Sequence, residues 1–194
     1  MSMHDIITLR NSTEEMKLSL LLALHCAPLL LGLKAANIIT VTRQEFLQIK
    51  NIFKGTEVSY RFLRIKGEKG IIYLYREQEI KKYLFLEEVQ YFLKEYGYRT
   101  GCLDEMLKHL EERIFFYRVG QISFPHEIGI FLEYPIMDVK GFLENKGENF
   151  ICSGYWKVYA EEEKTIRKFH EYDVVRELAV REVLSGKKIR EIML

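Results

Sequence analysis

Residues 18–37 read LSLLLALHCAPLLLGLKAAN, and the reading of this stretch decides what kind of protein the chain makes. The 16 residues between Lys17 and Lys34 carry no formal charge. A membrane span needs about 20 apolar residues, and His25 and Pro28 interrupt this run. Glu14 and Glu15 stand where a signal peptide would carry basic residues, and no small-residue cleavage site follows. The stretch is therefore buried core. Leu18, Leu21, Leu22 and His25 share helical spacing. Ser12 and Glu15 form a capping box ahead of them, Pro28 ends or kinks the helix, and Gly32 suits a left-handed cap. Asn37–Val41 then reads as a strand.

Working outward, Thr42 with Glu45 opens a second helix that runs to Gly55. Val58–Ile65 and Ile71–Tyr75 form a hairpin across Lys66–Gly70, and the second strand, apolar throughout, belongs in the centre of a sheet. Gln78–Tyr96 is helical with a break near Leu84, and Asp104–Arg113 is helical. Pro125 and Pro135 each suit the first turn of a helix, the second running to Lys146 with Gly147 as its stop. Phe150–Tyr159 reads as one strand with Cys152, Gly154, Trp156 and Val158 on one face. A long helix covers Glu161–Ser185, and the Lys187-Lys188 tail frays. The expectation is a single α/β domain over residues 1–194, with α+β as the alternative. It has a small mixed sheet of about four strands covered by six or seven helices.

Composition narrows the function classes. Lys plus Arg number 29 and Asp plus Glu 28, so the net charge of +1 offers no general field for nucleic acid or acidic lipid. Three scattered cysteines, Cys26, Cys102 and Cys152, make a poor disulfide framework and fit a reducing compartment. A cytoplasmic protein with no membrane or nucleic-acid partner is expected. The P-loop, GxGxxG, GxSxG and HExxH patterns do not occur.

Three segments combine unusual polar residues with tight backbone punctuation. They are His25-Cys26-Ala27-Pro28 with Lys34 and Asn37, then Phe124-Pro125-His126-Glu127, then Cys152-Ser153-Gly154-Tyr155-Trp156-Lys157. With Leu132-Glu133-Tyr134-Pro135 they resemble the bacterial domain-of-unknown-function family thirty-seven ninety-three, whose hallmarks are Pro-His-Glu and Leu-Gly-Tyr-Pro motifs. Glu133 stands where that family has glycine. The resemblance covers most of the chain and implies kinship, with no activity attached.

Each candidate has two readings. Cys26 is a nucleophile activated by His126 or His25 and oriented through Glu127, or it packs as a small buried hydrophobe. His25, on the apolar stripe, is a core histidine with a satisfied ring or a ligand contact. His126 in a helix's first turn feels the positive dipole end, which favours the neutral imidazole that accepts protons; Glu127 also suits ordinary capping. His25, Cys26, His126 and Cys152 are the residue types of a zinc or iron site, but without CxxC spacing no metal site is assigned. Tyr155 and Lys157 form a stacking and anion-binding wall, or lie in solvent while Trp156 packs inward. Gly154 marks a bulge or a close backbone approach.

The leading expectation is a small-ligand-binding or regulatory domain with a polar pocket. It takes Cys26, His126 and Glu127 as candidate catalytic residues and His25, Lys34, Asn37, Tyr155 and Lys157 as candidate ligand contacts. The alternatives are a Cys/His-dependent hydrolase or transferase, and a metal or redox protein. Cofactor, ligand and oligomeric state are not legible.

Overall fold

The computed structural model describes residues 13–66 and 68–193. In chain order the elements are α1 (Glu14–Leu30), β1 (Ala36–Thr42), α2 (Arg43–Phe53), β2 (Val58–Lys66), β3 (Lys69–Arg76), α3 (Glu77–Leu84) and α4 (Glu87–Glu95). They continue with α5 (Leu103–Arg118), α6 (Ile128–Phe131), α7 (Ile136–Glu144), β4 (Cys152–Ser153), β5 (Lys157–Val158), α8 (Glu162–Leu184) and α9 (Ile189–Ile192). The α/β class holds. The strands, however, divide into two antiparallel sheets, β1-β3-β2 and β4-β5, in place of one mixed sheet.

β3 is the middle strand, as its unbroken apolar run requires. Side chains alternate across a strand, so β3 feeds both faces. Tyr73 packs with Ala36 and Leu63 into a core beneath α3–α7. Ile72 and Leu74 pack with Ile39, Val41 and Val58 into a second core beneath α1, α2, α8 and α9. The sheet is thus a partition between two helical layers.

α1 begins at Glu14, with the Thr13 hydroxyl accepting from the Met16 amide; Ser12, the expected cap, lies outside the described residues. The helix does not stop at Pro28 but runs to Leu30. Proline removes one internal bond, and outside partners hold the turn that follows. The Leu33 and Lys34 amides donate to the Pro28 carbonyl at 2.7 and 3.0 Å. The guanidinium of Arg76, at the end of β3, donates to the carbonyls of Leu29 and Leu30 at 2.9 Å each. α1 has no basic residue in its last turn, so Arg76 supplies the positive charge its C-terminus favours. Gly32 takes φ +73°, as a left-handed cap requires.

Elsewhere, Thr42 and Glu45 close the capping box of α2, and the break near Leu84 separates α3 from α4. The Lys187-Lys188 tail continues into α9, where Ile189 and Ile192 are buried against α1 and α2. Phe150–Tyr159 is a tight hairpin, because the Phe169 ring occupies the space a Cβ at Gly154 would need. The chain turns there, and the Gly154 amide donates to the Trp156 carbonyl at 3.1 Å.

Arg76 is 6% exposed, while its ion-pair partner Glu57 is largely in solvent. Arg76→Ala strands two buried helix-terminal carbonyls and is expected to cost about 3 kcal/mol in urea denaturation. Glu57→Ala is expected to cost less than about 1 kcal/mol. Equal losses would contradict the capping role.

Candidate functional site

The first polar segment closes on itself. Cys26 is 0% exposed, on the buried stripe of α1 that includes Leu18, Leu22 and Leu29. Asn37 comes from the β1 face that looks toward α1. Its amide donates to the His25 carbonyl, in a short bond, and to the Cys26 sulfur at 3.5 Å. The His25 side chain itself is exposed, which corrects its assignment to the core: the buried stripe runs through Cys26 and passes His25 by. Burial pushes the Cys26 thiol up to about 12, the opposite of nucleophile activation.

Lys34 is also buried and stands 5.2 Å from the Tyr134 ring centroid. Burial pulls its ammonium down to about 8, with the nearby Cys26 and Glu133 opposing. Glu133 takes φ +60°, the left-handed region that favours glycine, at the position where the resemblance expects glycine. From there its carboxylate accepts from the Ala35 amide at 2.7 Å. That bond ties the α1–β1 turn to the segment after α6.

His126 does not meet Cys26. The thiol belongs to the layer on the α1 side of the sheet, and the residues immediately after His126 belong to the layer on the other side. The Cys/His arrangement therefore does not form. Glu127, 1% exposed, does not orient an imidazole: it forms a buried ion pair with Arg113 and accepts from the Tyr98 hydroxyl at 3.2 Å. His126 precedes a helix of only four residues, so no helix dipole acts on it as the sequence suggested. Partial burial lowers its pKa instead, keeping the ring neutral, while Glu127 opposes.

The second and third segments do meet. His126, Ser153, Trp156 and Lys157 share a cavity of about 300 Å³ with Phe124, Tyr134 and Phe142. His126 sits between Phe124 and Phe142, with centroids 5.0 and 4.8 Å away. Trp156 stacks on Tyr134 at 4.9 Å. The Lys157 ammonium donates to the Gly147 carbonyl at 2.6 Å and lies 4.7 Å from the Phe150 ring centroid. Tyr155 stands apart from the cavity wall, donating to Asp173 at 3.0 Å and accepting from Arg176 at 3.2 Å, which pins the hairpin to α8.

Asp138 was not visible as a site residue, because an acidic residue in a helix's first turn reads as ordinary capping. It is buried, and its carboxylate accepts from the Trp156 indole and the Tyr159 amide at 2.7 Å and from the Ala160 amide at 3.0 Å. These three donors satisfy its oxygens and fix the orientation of Trp156. A larger groove of about 870 Å³ beside α2 contains none of the candidate residues, and its Thr42 and Glu45 are already engaged in capping. Among the described residues, no group of three or more His, Cys, Asp or Glu side chains could hold a metal; His25, Cys26, His126 and Cys152 do not come together.

Two chemical consequences are measurable. Iodoacetamide at pH 8 is expected to label exposed Cys102 and leave Cys26 unmodified until the protein unfolds; peptide mapping showing comparable rates would contradict the burial of Cys26. A charged Lys34 in this site opposes folding, so Lys34→Met is expected to stabilise the protein by about 2 kcal/mol at pH 7. Between about 8 and its ordinary 10.5 the unfolded chain binds more protons at Lys34 than the folded one. Wild-type stability therefore gains over that window, and the advantage of the variant in urea denaturation shrinks as pH rises from 8 to 10. A constant gap would contradict this account.

No helix of the described residues is long and apolar enough to cross a membrane. No curated protein and no solved structure matches the chain. Residues 22–193 match a family described as protein of unknown function (DUF3793), and the chain belongs to that family.

Proposed function

We propose that this chain is a soluble, cytoplasmic small-molecule-binding protein whose ligand is a planar, largely apolar anion. The carrying observation is the 300 Å³ cavity lined by aromatic residues from four separate segments together with Lys157, the neutral His126 and Ser153. Apolar walls with a few placed polar groups are the usual make-up of small-molecule sites, and this volume is at their small end. It suits a molecule of one or two rings.

Lys157 is the reason for assigning the ligand a negative charge. Asp138 also lines the cavity, but three protein donors already engage its carboxylate and hold it to the hairpin. Lys157 spends one of its protons on Gly147 and keeps others for a carboxylate. The neutral imidazole serves as a further hydrogen-bonding group. Three free cysteines support a reducing compartment, and the +1 balance supports a role without nucleic acid or membrane.

Trp156 is the single tryptophan of the chain and lines the cavity, so its fluorescence reports occupancy directly. 1-Naphthoate is expected to quench it saturably, and the neutral analogue 1-naphthalenemethanol to bind roughly tenfold more weakly. Lys157→Met is expected to abolish that preference, and Phe142→Ala to weaken both probes. Equal binding of acid and alcohol to the wild type, or no saturable quenching by either, would overturn the proposal.

A further inference from the structure

The turn after α7 bends further than the end of a helix requires. With Asn145 as C-cap, the Lys146 amide donates to the Leu143 carbonyl at 3.3 Å and the Gly147 amide to the Phe142 carbonyl at 2.8 Å. That pair of bonds is the Schellman ending, which asks for one left-handed residue directly after the cap. Lys146 supplies it, at φ +52°. Gly147 is left-handed as well, at φ +78°, and capping gives no reason for it. Its carbonyl does: it accepts from the Lys157 ammonium at 2.6 Å.

The ammonium is held from other sides too. It lies 4.7 Å from the Phe150 ring centroid and 5.8 Å from that of Phe142. α7 has no basic residue in its last turn, and the carbonyl end of a helix favours a positive charge, which Lys157 brings from β5. Phe142 and Lys157 both line the 300 Å³ cavity. Gly147 is buried next to both of them.

We infer that Gly147 is a positioning residue that gives the cavity its preference for an anion, a role that rests on the ligand reading above. Its carbonyl fixes the ammonium beside Phe142, so the charge is in place before a ligand arrives. A free lysine side chain gives up rotamer freedom when it pairs; a restrained one has already lost it. The position admits no side chain. A Cβ at Gly147 would stand 3.0 Å from two atoms of the Phe142 ring and 3.6 Å from Lys157 Nζ. It would also be strained by the left-handed backbone. Relief of that crowding and strain rotates the peptide and takes the carbonyl off the ammonium. Crowding of Phe142 weakens every ligand alike, so only the ratio between a charged and a neutral probe reports the ammonium.

Tryptophan quenching of the full chain by 1-naphthoate and 1-naphthalenemethanol tests this. The wild type is expected to prefer the acid roughly tenfold, and Gly147→Ala to bring the two probes within about twofold of each other. Gly147→Asn carries the same Cβ on a residue that tolerates left-handed backbone, and is expected to lose the preference likewise; circular dichroism confirms that the variants keep their helices. Gly55→Ala is the control for strain. Gly55 follows α2 at φ +74°, and a Cβ there meets no atom within 4 Å. That variant is expected to lose thermal stability as Gly147→Ala does and to keep the tenfold preference. A wild type that prefers the acid beside folded Gly147 variants that prefer it equally overturns the inference and leaves the ligand reading standing. So does an equal loss of preference in Gly55→Ala, which would make the effect one of stability alone. A wild type without the preference removes both.

Discussion

β3 is apolar on both faces, and everything else in the molecule is arranged around that constraint. A strand whose alternate side chains all avoid water needs a helical layer on each side. Ile72 and Leu74 call for one, and Tyr73 calls for the other. The chain answers with α1, α2, α8 and α9 on one face and α3–α7 on the other. Hydrophobic burial therefore does more than stabilise the fold: it determines which polar groups can ever meet. Cys26 belongs to the core on one side of the partition, and the residues that follow His126 belong to the core on the other.

The same constraint explains how the layers are stitched. Arg76 ends the central strand and reaches into the C-terminus of α1, while Glu133 reaches from the far layer to the Ala35 amide. Tyr73 donates to the Phe131 carbonyl at 2.6 Å through the core itself. Each of these polar contacts satisfies a backbone group that burial would otherwise penalise. They explain the polar residues in the first segment. Lys34, Asn37 and Cys26 hold a turn together, whereas His126 and Lys157 border open space.

Local signals read correctly from the residues alone were those whose cause is local. The Thr42–Glu45 cap, the left-handed Gly32, the break after Leu84 and the central place of Ile71–Tyr75 all depend on neighbours a few positions away. What escaped depends on distant partners. α1 passes through Pro28 because Arg76, far along the chain, caps the turn beyond it. The Phe150–Tyr159 stretch folds back because Phe169 of α8 claims the space at Gly154. The candidate site was half legible. Two of the three suspect segments converge, and the unusual residues His126 and Lys157 do face one cavity. Asp138, which sets the Trp156 ring, carries no sequence mark, since its partners are an indole and two amides found only after the hairpin closes.

The claim that carries the most weight is that the space beside Trp156 is a binding site and not merely a gap between hairpin and helix. The indole N–H of Trp156 gives a single resolved signal in a ¹⁵N correlation spectrum, because the chain has one tryptophan. On titration with 1-naphthoate that signal is predicted to shift progressively and saturate, together with the backbone amides of Ser153 and Phe142. An indole signal that stays fixed at saturating probe, or shifts confined to the groove beside α2, would contradict the account.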